Sequence, residues 1–459
     1  MWHNCGDLKG ATYLARLFGT DGVRGVANQE LAPELAFKLG RIGAYVLTNR
    51  GPGSRIAIGK DTRISGDMLE SALISGILSM GVDVLRLGVI STPGVAYVTK
   101  QLGADAGVMI SASHNPVEDN GIKFFGGDGF KLLDDVEDEI ERLLHEVVDA
   151  LPRPTGSGVG RIYEEPAVAM YTKFLLGTVP CRFDGLHIVL DCANGAASGI
   201  APKVFEKLGA QVTVVHAQPD GVNINVGCGS TAPHVVQQAV LAAEADLGLS
   251  FDGDADRLMA VDATGEIIDG DFIMAICAKA MKDKGVLAND TVVATVMSNL
   301  GFVKAMESLG ITVERTAVGD RYVMEHMRKG HAVLGGEQSG HIIFLNHITT
   351  GDGILTALQL VRIMVEQSQS LAALRSVMTR FPQILENVRV RDKQAWRDNA
   401  RIQAALAEGE TMLGDSGRVL VRESGTEPIV RVMVEGPNEQ QLQTCVSRIV
   451  KVVREELGA

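Results

Sequence analysis

The sequence predicts an α/β protein, with three mixed α/β domains of related topology followed by a smaller C-terminal α+β domain. Three observations predict it. At 459 residues the chain exceeds the size at which a single hydrophobic core stops growing. A strand–loop–helix–glycine–strand pattern recurs loosely from Arg55, His187 and Thr291. Beyond Phe381-Pro382 the order changes to strand, helix, two strands and a last helix.

Each repeat opens on a β-branched apolar run: Arg55-Ile56-Ala57-Ile58, His187-Ile188-Val189-Leu190 and Thr291-Val292-Val293-Ala294. A polar loop follows: Lys60-Asp61-Thr62-Arg63, Asp191-Cys192-Ala193-Asn194-Gly195 and Met297-Ser298-Asn299. The next helix ends at a glycine suited to left-handed dihedrals, Gly81, Gly209 or Gly310. A second strand starts at once, over Val82–Leu85, Ala210–Val215 and Ile311–Val313. Strand, helix, strand in that order favours a right-handed parallel crossover. Any α/β protein contains such units, so domain duplication stays open at this point.

In the tail, a strand is expected over Leu385–Val390 and a helix over Trp396–Ala407. Strands over Arg418–Val421 and Ile429–Val434 follow, then a helix near Asn438, where Asn438 and Gln441 have capping-box spacing. With linkers at Leu151–Gly158 and around Phe381-Pro382, the expected layout is an extension over 1–15, α/β domains over 16–163, 164–263 and 264–381, and an α+β domain over 382–459.

The net charge of −13 disfavours nucleic acid or an anionic membrane as partner, though arginine, lysine and a metal can reverse the sign inside one cleft. Six scattered cysteines form no C-x-x-C pair, so neither a disulfide framework nor a zinc site is expected, and a reducing cytoplasm is the expected location. Met1–Asp7 lacks a basic start and an apolar core, so no signal peptide is expected. No apolar run reaches the roughly 18–20 residues of a membrane span.

Among the loops, Asp252-Gly253-Asp254-Ala255-Asp256-Arg257 carries the strongest signal. An apolar run from Leu247 delivers three carboxylates at alternate positions, the oxygen density a hard divalent cation takes. An EF-hand loop also starts this way, but its sixth position needs Gly and its twelfth Glu, where this chain has Arg257 and Ala263. The segment Gly107–Pro116 is a buried-type strand ending in Ser111-Ala112-Ser113-His114-Asn115, at a strand end where α/β folds place reactive groups. Asn120-Gly121-Ile122-Lys123 adds an ammonium downstream. Phe18-Gly19-Thr20-Asp21-Gly22-Val23-Arg24-Gly25 is glycine-rich without being a Walker loop. Gly336-Glu337-Gln338-Ser339-Gly340-His341 offers polar groups that match sugar hydroxyls, and Arg422–Pro428, with Arg431 beyond, has the makings of a phosphate cradle. Read singly, each of these last three also fits an ordinary turn.

Together and in this order, the five segments resemble the α-D-phosphohexomutase superfamily, from about Leu17 to the C-terminus. Ser111–Pro116 and Asp252–Arg257 are its most specific motifs. The resemblance implies four domains around a central cleft. It implies that Ser113 carries a phosphate, that Asp252, Asp254 and Asp256 hold one Mg²⁺ together with phospho-Ser113, and that Lys123, Arg24 and His114 assist proton transfer and charge stabilisation. Arg257, Arg422, Ser424, Gly425, Thr426 and Arg431 match phosphate contacts, and Glu337, Ser339 and His341 the sugar-binding loop. Gln338, Ser111 and Val318–Val323 bring the chain nearest the bacterial phosphoglucosamine mutase branch.

For that branch the implied reaction interconverts glucosamine 6-phosphate and glucosamine 1-phosphate through glucosamine 1,6-bisphosphate, on the route to UDP-N-acetylglucosamine and cell-wall precursors. The implied partner is a phosphorylated amino sugar. Oligomeric state is not readable, and a homodimer is left open. A mannose- or glucose-phosphate mutase of the same superfamily, a metal-dependent sugar phosphatase and a non-catalytic sugar-phosphate binder are the competing readings.

Overall fold

The computed structural model describes residues 16–19, 21–49, 51, 53–146, 150–424 and 427–458. The expected extension over 1–15, and the phosphate-loop residues Gly425 and Thr426, lie outside the described residues.

Four sheets follow one another along the chain, of seven, five, four and three strands. In the first three the repeat goes further than one crossover. Arg55–Lys60 pairs in parallel with Asp83–Val89 on one side and Ala106–Ile110 on the other, and Asp119–Gly126 returns antiparallel beside the latter. In the second sheet His187–Asp191 lies between Gln211–Val215 and Leu247–Phe251, both parallel, and Leu258–Asp262 returns antiparallel. In the third, Thr291–Thr295 lies between Thr312–Thr316 and Leu334–Gly336, and Ile342–Phe344 returns antiparallel. Each unit thus has strand order 2-1-3-4 with only the fourth reversed. The glycine before each second strand takes the left-handed conformation expected, with φ of +79° at Gly81, +97° at Gly209 and +68° at Gly310.

The turn between third and fourth strands is the same structural position in all three units. It holds Ser111–Glu118 in the first, Asp252–Arg257 in the second and Glu337–His341 in the third. Ala106–Ile110 and Leu247–Phe251 are buried at every residue, which fits their near-continuous apolar sequence and fixes the base of each turn.

The outer strands shift two expected boundaries. Ile162–Glu164 pairs in parallel with Asp83–Val89, so the first sheet runs one residue past 163. Ile267–Ile268 pairs with Leu258–Asp262, so the second sheet extends past 263 and the third unit starts at Asp269, whose side chain caps helix Gly270–Asp283. One apolar cluster, from Ala57 through Leu190, Phe251 and Ile342 to Met378, joins the first three units. The helix layer of the first unit adds its own cluster.

The tail sheet orders Gln383–Arg389, Ile429–Glu435 and Arg418–Glu423, all antiparallel, over a separate core that includes Val388, Val432, Leu442 and Ile449. Its first helix spans Ala400–Leu413 rather than starting at Trp396, because Asn399 caps it by accepting from the Arg401 and Ile402 amides. Asn438 caps the last helix by accepting from Gln441 N–H, but the Gln441 side chain donates to Met412 O, so the capping box is one-sided. Among the described residues no helix is long and apolar enough to cross a membrane.

Candidate active site

Ser113 sits at a left-handed backbone position, φ +53°, with 1% of its surface exposed. Such a position is costly for a non-glycine residue and needs a surrounding frame to hold it. The frame is explicit. Ser113 N–H donates to Ser111 Oγ at 2.9 Å, and Ser111 Oγ donates to Asp61 Oδ2 at 2.7 Å. Arg63 Nε donates to Asp61 at 2.9 Å, while Arg63 Nη2 donates to both Ser113 O and Asn115 O at 2.9 Å. From the second unit, Asn225 Nδ2 donates to Ser113 O at 2.9 Å.

The first and second turns meet directly. Ser113 Oγ donates to Asp252 Oδ2 at 2.5 Å and lies 3.3 Å from His114 Nδ1. A Cβ on Gly253 would stand 2.6 Å from Ser113 O, so only glycine allows this approach. Asp252, Asp254 and Asp256 are buried, with ligand oxygens within 4.8 Å of one another. Buried Oδ1 atoms on Asp254 and Asp256 have no hydrogen-bond partner, the condition an oxygen-loving cation relieves. Burial, then Asp256 and Asp254, push Asp252 well above the carboxylate range, so without a cation the cluster favours a proton there. The residues present therefore fit a hard divalent cation.

Lys123, 1% exposed, donates to Asp254 Oδ2 at 2.8 Å and pairs with Asp21 at 3.0 Å. Burial opposes its charge, but Asp21, Asp254 and Asp256 outweigh burial and hold it protonated. Thr92 Oγ1 donates to the same Asp254 oxygen at 2.6 Å. Arg24 pairs with Asp21, so it reaches the same cluster from the edge. Burial, then Arg257 and Arg24, lower His114 to about 4, leaving a neutral imidazole beside the serine hydroxyl.

Sequence reasoning missed Asp21, Lys131 and Asp320. Lys131 Nζ donates to Asp21 Oδ1 and to Asp320 Oδ2, each at 2.5 Å. Asp320 lies 3.6 Å from His341 Nε2, and His341 Nδ1 lies 3.5 Å from Asp256. Acidic and basic side chains thus close a ring from Asp254 through Lys123, Asp21, Lys131, Asp320 and His341 to Asp256. Asp21 stood in plain view within the glycine-rich segment, and Asp61 and Arg63 within the first polar loop. Their partners come from other strands, which spacing does not show.

His341 is 3% exposed: its Nε2 accepts from Gly351 N–H at 3.1 Å and its Nδ1 faces Asp256. Glu337 and Ser339 remain half-buried, with Glu337 Oε1 accepting from Gly319 N–H at 3.1 Å and Oε2 facing Ser339 Oγ at 3.4 Å. Arg257 N–H donates to Asp252 Oδ1 at 3.1 Å, and its buried Nε, without a hydrogen-bond partner, lies 3.9 Å from Asp256 Oδ1. In the tail, Arg422 and Arg431 face each other across paired strands, and Arg431 Nε is buried without a hydrogen-bond partner. Ser424 is buried at the start of the turn, its Oγ accepting from Glu427 N–H at 3.3 Å. Two adjacent guanidinium groups without an acid between them are suited to an anion. They belong to the tail and touch none of the Ser113 frame described above.

Models described as phosphoglucomutase/phosphomannomutase alpha/beta/alpha domains I, II and III match residues 15–149, 169–265 and 269–381, and the C-terminal domain of the same series matches 385–452. A phosphoglucosamine mutase of Halalkalibacterium halodurans is 60% identical over 97% of this chain and 100% of that protein. One of Brevibacillus brevis is 58% identical with the same coverage. A phosphoglucomutase/phosphomannomutase family protein of Burkholderia thailandensis shares the fold at TM-score 0.82 and 24% identity, covering 97% of this chain and 99% of that one. So does the Aspergillus fumigatus N-acetylphosphoglucosamine mutase solved with GlcNAc-6P and magnesium, at TM-score 0.71 and 18% identity, covering 96% and 95%.

Proposed function

The chain belongs to the phosphoglucomutase/phosphomannomutase family, and from that membership we propose that it interconverts glucosamine 6-phosphate and glucosamine 1-phosphate by carrying a phosphate on Ser113. The single observation that carries the chemistry is the 2.5 Å contact between Ser113 Oγ and Asp252 inside a buried carboxylate cluster.

Phosphate monoesters resist hydrolysis so strongly that enzyme accelerations reach about 10²¹-fold, and most of that comes from positioning and charge stabilisation. Asp252, Asp254 and Asp256 would hold Mg²⁺, which supplies positive charge where phosphoryl oxygens gather. Phospho-Ser113 transfers its phosphoryl group to the C1 hydroxyl of glucosamine 6-phosphate. The serine P–O bond breaks, the sugar O–P bond forms, and the hydroxyl proton leaves to a nearby base. After the 1,6-bisphosphate turns around, its 6-phosphate returns to Ser113 and glucosamine 1-phosphate leaves.

Lys123, held protonated, stabilises charge on the oxygen that leaves or attacks. His114, neutral and 3.3 Å from Ser113 Oγ, is placed to accept the serine proton in the return half-reaction. Arg422 and Arg431 would take the phosphate that is not reacting, and Glu337 and Ser339 the sugar hydroxyls. A cytoplasmic location belongs to the same proposal.

The test is intact mass before and after glucosamine 1,6-bisphosphate, with turnover on glucosamine, mannose and glucose phosphates. One added phosphate on Ser113, a preference for glucosamine phosphate and loss of turnover by about 10⁴-fold or more in Ser113→Ala are expected. Unchanged mass with full activity in Ser113→Ala would sink the reading.

A further inference from the structure

The second sheet carries another group of ligating side chains, which the phosphoryl chemistry leaves unused. Asp191 ends the strand His187–Asp191, His216 follows the strand Gln211–Val215, and Cys228 lies in the loop before helix Pro233–Ala243. All three therefore sit at the ends of strands or in connections on the edge where open α/β sheets place ligand sites. One ligand atom from each lies within 4.8 Å of the other two. Asp191 and Cys228 are buried, while the His216 side chain is 33% exposed and opens the group to solvent. His216 Nδ1 already meets Asp191 Oδ1 at 3.2 Å. Asp191 also accepts from Ala193 N–H at 3.0 Å on Oδ1 and from Gly229 N–H at 2.9 Å on Oδ2, which orients its oxygens while leaving Oδ2 a further lone pair.

We propose that Asp191, His216 and Cys228 bind a thiophilic divalent cation of the Zn²⁺ class, separately from the Asp252–Asp256 cluster, and that its binding restrains the Ser113 loop. One sulfur, one imidazole nitrogen and one carboxylate oxygen form a donor set that zinc takes and magnesium does not. Zinc ligands about 2.0–2.3 Å from the ion stand roughly 3.6 Å apart in a tetrahedron, so closing these side chains onto an ion is a small movement. The fourth position falls to water on the exposed side of His216.

The route to Ser113 is short and runs through hydrogen bonds. Asn225, three residues before Cys228, donates through Nδ2 to Ser113 O at 2.9 Å and to Asn115 O at 3.2 Å. Its own N–H donates to Ala193 O, and Gly229 N–H to Asp191. Drawing Cys228 and Asp191 onto an ion moves the loop that carries Asn225. The cost expected at the active site is that of one misplaced hydrogen bond, about a three- to tenfold fall in kcat.

The experiment uses the full chain with saturating Mg²⁺, titrated with Co²⁺ as a coloured stand-in for Zn²⁺. One cobalt per chain with a thiolate-to-cobalt charge-transfer band, bleached by Zn²⁺, is expected. Cys228→Ser and, at the part-exposed position, His216→Gln should lose or weaken the band. Both should keep wild-type turnover without zinc and resist the zinc-induced fall. A wild type with no thiolate band overturns the site, as does a band that survives in Cys228→Ser. Equal zinc inhibition in wild type and His216→Gln overturns the link to Ser113. The spectral arm stands whatever the substrate, whereas the turnover arm rests on the mutase reading.

Discussion

The Ser113 turn and the turn after Arg422, both proposed to hold a phosphate, are fixed by opposite means. Ser113 is fixed by residues from two units: Arg63 and Ser111 of its own, Asn225 and Asp252 of the next. Ser424 is fixed only within the tail, where Lys393 donates to its carbonyl at 2.8 Å and Glu427 N–H to its hydroxyl. The tail has its own apolar core, and polar ties such as Arg418 Nη2 to Ser298 O and Lys304 Nζ to Asp415 O join it to the third unit. The proposed phosphate carrier is held from two units, and the proposed phosphate grip from within the tail.

Lys123→Met should strike the carrier half hardest. Removing one partner of a buried charge cluster costs about 3–5 kcal/mol, and kcat should fall about 10³-fold with KM little changed. Steady-state kinetics with thermal unfolding checks both. Arg422→Ala should act on the gripping half: loss of a charged hydrogen bond to phosphate, about 1.5–3 kcal/mol, should raise KM by 10- to 100-fold and leave kcat within a few-fold. A kcat loss matching that of Lys123→Met would break the comparison.

Asp352 sharpens it through pH. It caps helix Gly353–Gln367, whose first N–H donates to Ala255 O in the metal turn, and it accepts from Tyr171 Oη at 2.6 Å. Burial raises its carboxyl to about 7. Between roughly pH 4 and 7 the folded chain then holds a proton the unfolded chain releases, so this group's contribution is greatest below pH 4. It falls by up to about 1.4 kcal/mol per unit as pH rises to 7 and is flat above. Asp352→Asn keeps the cap and should flatten that slope in denaturation followed across pH. The smallest effect belongs to Ala255, at φ +56° in the metal turn: Ala255→Gly should gain at most about 1 kcal/mol of stability, read as a rise in Tm.

Much of this was legible in the sequence. The three crossovers, their left-handed glycines and the buried strands feeding the serine and aspartate turns follow from local pattern, because burial on both faces demands continuous apolar runs. The fourth, reversed strand of each unit was not read as part of the repeat, since short segments such as Ile342–Phe344 carry too few residues to show a period. Lys131 and Asp320 were invisible for another reason. A charge looks the same whether it faces water or a partner from a distant strand. The motif sets His341 beside Glu337 and Ser339, and spacing alone does not show that Gly351 and Asp256 turn it inward.

Strand order 2-1-3-4 puts the Ser113 turn, the Asp252–Asp256 turn and the Glu337–His341 turn at one address in three copies of a scaffold. The proposed sugar contacts Glu337 and Ser339 lie on the third copy's bend, so a change at Gln338 should alter the choice of sugar while Ser113 and the three aspartates stay in place.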